Sequence, residues 1–150
     1  MKAVYMLGLA ALVIGAGLLA GCVEEVADPD LTFSVVEVRT NATSPNPNGE
    51  SADPGHHWLY VKVKVNNLNE RNDLTVFPGT FYADDNVTEY TGEYLANGSS
   101  IRRIDSIRID PNTNKEFWVI FGQIPDGDKM VFIRYRGTLD EPVEKKLPDY

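Results

Sequence analysis

The chain contains one cysteine among its 150 residues, Cys22, and only two histidines, His56 and His57. A single cysteine cannot form an intramolecular disulfide, so the folded domain depends on its hydrophobic core for stability. Residues 22–150 are about the size of one domain, and a chain of that length buries enough apolar surface to fold alone.

Positive charge is also scarce. Lys and Arg number 14 against 22 Asp and Glu, a formal net charge of −8 that becomes −9 for the chain from Cys22 onward, because Lys2 is then lost. A nucleic-acid partner requires many basic side chains to neutralise its phosphates, and a polybasic membrane patch has the same requirement. The composition therefore argues against both partners and favours a solvated acidic surface.

Helical and catalytic patterns are absent from the sequence as well. After Cys22, no window of eleven or more residues shows a helical period. The sequence has no Gly-x-Ser-x-Gly motif or comparable nucleophile signature, and no two carboxylates are paired in an evident pocket. We therefore expect a non-enzymatic protein without a cofactor.

The N-terminus carries the most informative pattern. One positive charge at Lys2 precedes nineteen uncharged residues, as in a secretory signal peptide. The run ends in Leu19-Ala20-Gly21-Cys22, which resembles a prokaryotic lipoprotein cleavage site. We expect a signal peptide over residues 1–21 and a thioether-linked lipid on Cys22. Two alternatives remain open: an uncleaved membrane helix, for which the run is just long enough, and an ordinary cleaved signal.

The charges around the apolar run predict the location of the domain. Lys2 on one side and Glu24 and Glu25 on the other orient the C-terminal part outside the membrane. We expect a lipid-anchored protein on the outer face of the cell membrane, held stably by more than one acyl chain such as palmitate. Residues 22–30 would form a short acidic tether, and residues 31–150 the domain.

The pattern of the remaining sequence predicts short β-strands. Residues 58–66 alternate strictly, with Leu59 and the following valines on one side and Tyr60 and the lysines on the other, which predicts one face on a core and one in water. Residues 31–38 also alternate but change phase at Val35-Val36, which predicts a β-bulge. Residues 116–121 are apolar on both faces and predict a central strand.

Turn and loop signals separate the strands. Shorter strands are predicted at 74–77, 80–83, 88–91, 106–109, 130–135 and 143–147; turns at 68–73, 84–86, 110–112 and 125–128; and polar loops at 40–55 and 92–100. Seven to nine strands without helices indicate an all-β fold, a β-sandwich.

Four pieces of the sequence carry a family resemblance: residues 58–67, residues 80–85, residues 107–112 running into 117–121, and Ile124-Pro125. Their order, from a long strand ending in Asn to an acidic hairpin and a central apolar strand, resembles the immunoglobulin-like domains of unknown function found on prokaryotic lipoproteins and secreted proteins. Some members are described as immunoprotective extracellular antigens. The resemblance implies an immunoglobulin-like sandwich displayed outside the cell, and it implies no reaction.

Two groups of residues have the chemistry of a metal site. His56 and His57 with Asp53 nearby offer ligands for a transition metal, although adjacent strand residues point to opposite faces, and a solvated loop is the simpler interpretation. The carboxylates around Asp84 and Asp85 offer oxygen ligands for calcium. Acidic residues are equally common in ordinary hairpin turns.

Three Asn-x-Ser/Thr sequons begin at Asn41, Asn86 and Asn97. All fall in predicted loops or turns, where N-glycans fit. Tyr82 and two further tyrosines cluster near the predicted hairpin; they would form either sandwich packing or an exposed protein contact.

These expectations favour a binding or accessory module of the cell envelope that presents the loops 40–57 and 92–105. Its partners would be the membrane, through the lipid anchor, and an envelope protein. A small-ligand or metal-binding lipoprotein acting in uptake and a purely structural envelope protein are the alternatives.

Overall fold

The fold is described from a computed structural model, which places residues 31–41, 49–98, 102–137 and 142–150. The predicted signal peptide, Cys22 and the acidic tether lie outside the described residues. The described chain is almost entirely β-structure. Its ten strands are β1 (Leu31–Asn41), β2 (His56–Asn67), β3 (Leu74–Val76), β4 (Phe81–Asp84), β5 (Glu89–Asn97), β6 (Arg102–Ile104), β7 (Ile107–Ile109), β8 (Asn114–Pro125), β9 (Phe132–Tyr135) and β10 (Val143–Lys146). One short 3-10 turn covers Pro78–Thr80.

The strands form a sandwich of two antiparallel layers. The first layer has the order β1-β2-β8-β5, with β6 on the far side of β5. The second has the order β5-β4-β9-β10. β3 and β7 pair with each other in a separate two-stranded ribbon. The predicted β-sandwich is confirmed. It has ten described strands rather than the predicted seven to nine, and the unpredicted strand β6 follows a stretch that the sequence marks as a loop.

Strand β5 belongs to both layers. Its residues up to Thr91 pair with β4, and from Gly92 onward it pairs with β8, with a register shift between Gly92 and Tyr94. Glycine is needed at the bend because a Cβ on Gly92 would lie 2.5 Å from the carbonyl oxygen of Pro78. The predicted loop over 92–100 is therefore wrong: β5 continues through Asn97, and Leu95 and Ala96 are buried.

The core fills the space between the layers. Phe81 lies at its centre and makes edge-to-face contacts with Phe33, Phe117 and Tyr135, at centroid distances of 6.0, 6.1 and 5.1 Å. Such contacts add to the free energy gained from burial. The inward residues of β2 are fully buried as predicted: Leu59, Val61, Val63 and Val65.

The bulge predicted in β1 is present. Pairing with β2 runs in register from Leu31 to Val35 and resumes at Glu37, with a shift between them. The bulge leaves the Val36 side chain 48% exposed. The central position of β8 is also as predicted, since it pairs on both sides and every residue from Phe117 to Gly122 is buried.

The prediction that the outer face of β2 lies in water is wrong at Tyr60, which is only 4% exposed. A second, smaller apolar cluster covers this face of the first layer; it consists of Trp58, Tyr60, Ala96, Trp118 and Ile120, with Ala52 and Tyr94 at its margin. Ala52, in the segment that precedes β2, therefore packs against this face of the sheet.

Candidate functional site

The strand register separates the two ends of the sandwich. Leu31 pairs with Asn67, and Asn66 pairs with Asn114, so the chain enters the domain at this end, which we call the entry end. Asn41 pairs with Trp58, and His56 pairs with Pro125, at the opposite end of the same strands. We call this opposite end the far end.

A buried polar network holds the entry end together. The side-chain amide of Asn67, 2% exposed, donates hydrogen bonds to the carbonyl oxygens of Asn72, Ile109 and Asp110, at 2.9, 3.0 and 3.2 Å. Its carbonyl oxygen accepts a 3.0 Å hydrogen bond from the N–H of Asn69. Both the amide nitrogen and the carbonyl oxygen of the Asn67 side chain therefore have hydrogen-bond partners, as expected of a buried polar group.

A cleft of about 530 Å³ opens at the far end. The residues that line it come from the end of β1, the start of β2, the β8–β9 turn and the C-terminal segment: Thr40, His57, Asp126, Gly127, Asp128, Lys129 and Tyr150. This mixture of carboxylates, an imidazole, an ammonium and a phenol can form hydrogen bonds of either sense with a bound group.

His57 is one of the residues that line the far-end cleft. It is 7% exposed, and its Nδ1 lies 3.3 Å from Oδ1 of Asp126. Its Nε2 is buried and has no hydrogen-bond partner among the described residues. The interpretation of the two histidines as part of a solvated loop is wrong, because both lie in β2. Strand geometry turns the neighbouring ring away, and His56 Nδ1 instead lies 3.3 Å from the carbonyl oxygen of Pro54.

Tyr150 lines the far-end cleft, and Tyr90 hydrogen-bonds to one of its lining residues, Asp128. Tyr90 donates a hydrogen bond to Oδ2 of Asp128 at 3.2 Å, and burial together with this carboxylate raises the pKa of the phenol. The hydroxyl of Tyr150 accepts a hydrogen bond from the N–H of Met130 at 2.9 Å. The ammonium of Lys129 lies over the Tyr150 ring, 5.6 Å from its centroid, and pairs with Asp149.

The β4–β5 hairpin tip lies beside the far-end cleft. Asp85 Oδ1 accepts hydrogen bonds from the N–H groups of Thr88 and Val87, at 2.6 and 2.8 Å, and these donors lower the pKa of the Asp85 carboxyl group. Asp84 is bound instead by Arg134, at 2.6 Å. The carboxylates considered for calcium thus have turn and ion-pair partners.

No group of three or more His, Cys, Asp or Glu among the described residues is arranged to hold a metal ion. The contacts of His56 and His57 diverge, and the metal site suggested for the pair remains a prediction without support from this geometry. In the described part of the chain no helix has the length and apolar character to cross a membrane.

The predicted glycosylation sites occupy different positions. Asn86 lies at the exposed hairpin tip with φ 75°, and Asn97 is exposed at the end of β5. Asn41 is the last residue of β1.

The tyrosines near the β4–β5 hairpin mainly pack against other side chains. Tyr90 lies against the core and Tyr94 against the outer cluster, while Tyr82 lies under the guanidinium of Arg136. Sequence reasoning missed the far-end cleft, because its residues are far apart in the chain.

Comparison with known proteins shows the fold. An uncharacterised β-sandwich protein from Clostridium difficile 630 superposes with a TM-score of 0.52 at 10% identity, covering 81% of this chain and 87% of that one. The secreted protein MPT63 from Mycobacterium tuberculosis superposes with a TM-score of 0.56 at 14% identity, covering 78% and 82%. No family model and no curated protein matches the chain. At such identities the likeness establishes a shared β-sandwich and nothing about activity.

Proposed function

We propose that the protein is a lipid-anchored, extracytoplasmic and non-catalytic binding module of the cell envelope. The observation that carries the proposal is the separation of the two ends of the sandwich. The chain enters at Leu31, and the cleft, the β4–β5 hairpin tip and residues 49–55 all lie at the far end. An anchor on Cys22 would hold the entry end towards the membrane and present the far end to the outside.

The length of the tether supports this arrangement. Residues 22–30 span at most about 30 Å when fully extended, at roughly 3.3–3.6 Å per residue. The domain would therefore stay close to the membrane surface, and partners would approach it from the far end. The likeness to a secreted β-sandwich protein is consistent with a position outside the cytoplasm.

The exposed charges at the far end favour a basic partner. Asp53, Asp85 and Asp126 are solvent-accessible there, and Lys129 is paired with Asp149. Complementary charge mainly accelerates and orients association. We expect an envelope protein with a basic surface, bound with an affinity that falls as salt rises.

The anchor is tested by membrane fractionation and mass spectrometry of the native protein. The wild-type chain should be found in the membrane fraction, with an N-terminal peptide that starts at Cys22 and carries diacylglycerol. Cys22→Ser should abolish the modification. A native chain that retains Met1 and lacks lipid would contradict the anchor.

The binding role is tested separately by purifying the native lipoprotein with its bound proteins. A specific envelope protein should co-purify with the wild type and be lost from Asp53→Lys/Asp126→Lys. Glu70→Lys/Asp110→Lys, which makes the same charge change at two exposed residues of the entry end, is the matched control. Equal recovery with both variants would contradict binding at the far end.

A further inference from the structure

Among the strands that the structure describes, the hydrogen-bonded path ends at two edges, β1 and β10. Within the described residues, each edge strand pairs on one side only, with β2 and β9 respectively. A groove of about 690 Å³ separates them along one side of the sandwich. We call this groove the seam. Its lining consists of Phe33, Ser34, Val35, Val36, Lys145, Lys146, Leu147, Pro148 and Asp149.

The two strands that border the seam, β1 and β10, expose backbone groups that can bind another strand. In an edge strand, alternate N–H and C=O groups point away from the sheet and have no ladder partner. The floor is apolar, since Phe33 and Leu147 are buried within the core. The bulge in β1 adds the half-exposed Val36 side chain to the rim. These are the features used when an extended peptide adds a strand to a sheet.

The unpaired charges of the seam are positive. Asp149 pairs with Lys129 at 3.5 Å, whereas neither Lys145 nor Lys146 forms an ion pair with any residue the structure describes. Lys145 lies between Val143 and Leu147 on the strand, and successive side chains alternate between faces. It therefore shares the inward face with these two apolar residues and with Ile133, its partner on β9, and it is still exposed.

A second copy of the chain is a poor occupant. Two β10 edges paired with each other would bring the lysines of both copies together, and a charged residue on the inward face of an edge is a known protection against such pairing. An extended segment with carboxylates opposite the lysines would gain ladder hydrogen bonds and opposite-charge cross-strand pairs.

We propose that the seam binds an extended, acidic segment of a partner protein by strand addition. The segment would be about four to six residues long, matching the four residues of β10. An apolar side chain would lie beside Leu147, one acidic side chain would lie beside Lys145 on the inward face, and another would lie beside Lys146 on the outward face. The seam lies along the side of the sandwich, and its use does not depend on the lipid on Cys22 or on binding at the far end.

The proposal is tested by selecting binders from a random peptide display library on the full chain in detergent. Peptides with Glu or Asp at two adjacent positions, flanked by Val, Ile or Thr, should be enriched, because adjacent strand residues reach opposite faces. Their affinity should fall about tenfold or more with Lys145→Glu/Lys146→Glu. Arg71→Glu/Arg102→Glu, an equal charge change away from the seam, should leave it unchanged, since Arg102 lies on β6 at the opposite edge of the first layer. Methylating alternate backbone nitrogens of the peptide should also weaken binding.

Three results would overturn the proposal: no enrichment above a blank surface, enriched peptides that are basic, or enriched acidic peptides whose affinity is the same for both double variants. Circular dichroism of the variants ensures that a loss of binding is not a loss of fold. A fourth contrary result would come from zero-length cross-linking of the purified chain. A bond from Lys145 or Lys146 to Glu24 or Glu25 would show that the chain's own tether fills the seam.

Discussion

The side-chain amide of Asn67, at the end of β2, donates a hydrogen bond of 3.0 Å to the main-chain carbonyl of Ile109, at the end of β7. This contact joins the first layer of the sandwich to the separate β3–β7 ribbon. The ribbon contributes Val76, Ile107 and Ile109 to the core, so its position determines how the entry end of the core is closed.

Replacing Asn67 with Ala should lower the free energy of unfolding by about 2–3 kcal/mol, because it leaves buried carbonyl groups without donors. Urea denaturation at 25 °C measures the change. Asn66→Ala is the control: Asn66 is half-exposed and bonds only to Thr32 Oγ1, at 3.0 Å, so its loss should cost less than about 1 kcal/mol. Equal losses in the two variants would contradict a special role for Asn67.

Gly92→Ala should destabilise the protein by about 2–3 kcal/mol, because the new methyl group would collide with the backbone of Pro78 at the bend of β5. Thermal unfolding provides the measurement. Gly79→Ala is a close control, since a Cβ on Gly79 meets no atom within 4 Å, and its stability should change by less than about 1 kcal/mol. A Gly92→Ala protein as stable as the Gly79→Ala protein would show that the bend can open.

Arg134→Met should cost about 2–3 kcal/mol, because it leaves the Asp84 carboxylate, whose side chain is 11% exposed, without its guanidinium partner. Arg136→Met removes a more exposed arginine paired with Glu89 and should cost less than about 1 kcal/mol. Chemical denaturation of the two variants at low salt compares them. Similar losses would mean that the burial of Asp84 contributes little.

Alkaline pH should destabilise the fold. Burial raises the pKa values of Tyr60, Tyr135 and Tyr150 above 10.0, so the folded state keeps phenolic protons that the unfolded state loses. Stability should therefore be constant below about pH 9 and decline as the pH rises above about 10. Unfolding measured between pH 8 and 11, with absorbance at 295 nm to follow ionisation, tests this. Tyr135→Phe should flatten the decline, and a flat wild-type profile would contradict it.

The sequence predicted those features that depend on local alternation. The phase change at Val35-Val36 marked the bulge in β1, and the apolar run from Phe117 to Phe121 marked the central strand. It failed where β5 passes between layers, because the register shift after Gly92 interrupts the period-two pattern. The burial of Tyr60 could not be predicted from β2 itself, since it depends on side chains that other strands bring to the same face, such as Trp118 and Ile120 of β8.

The far-end cleft and the seam depend on sheet order rather than on local sequence. His57, Asp126 and Tyr150 meet only because β2, β8 and the C-terminal segment end at the same side of the sandwich. Lys145 lies within the short strand predicted at 143–147. Its place in the seam becomes visible only when β1 and β10 are seen to line the same groove.

The antiparallel pairing of β1 with β2 also has a mechanical consequence. Leu31 lies at one end of this ladder, and the far-end cleft lies at the other. A pulling force applied between Leu31 and the far end acts along the strands, whereas the ladder hydrogen bonds lie across them. The bonds would share such a force in shear rather than opening one after another, so the domain should resist extension along the line from Leu31 to the far end.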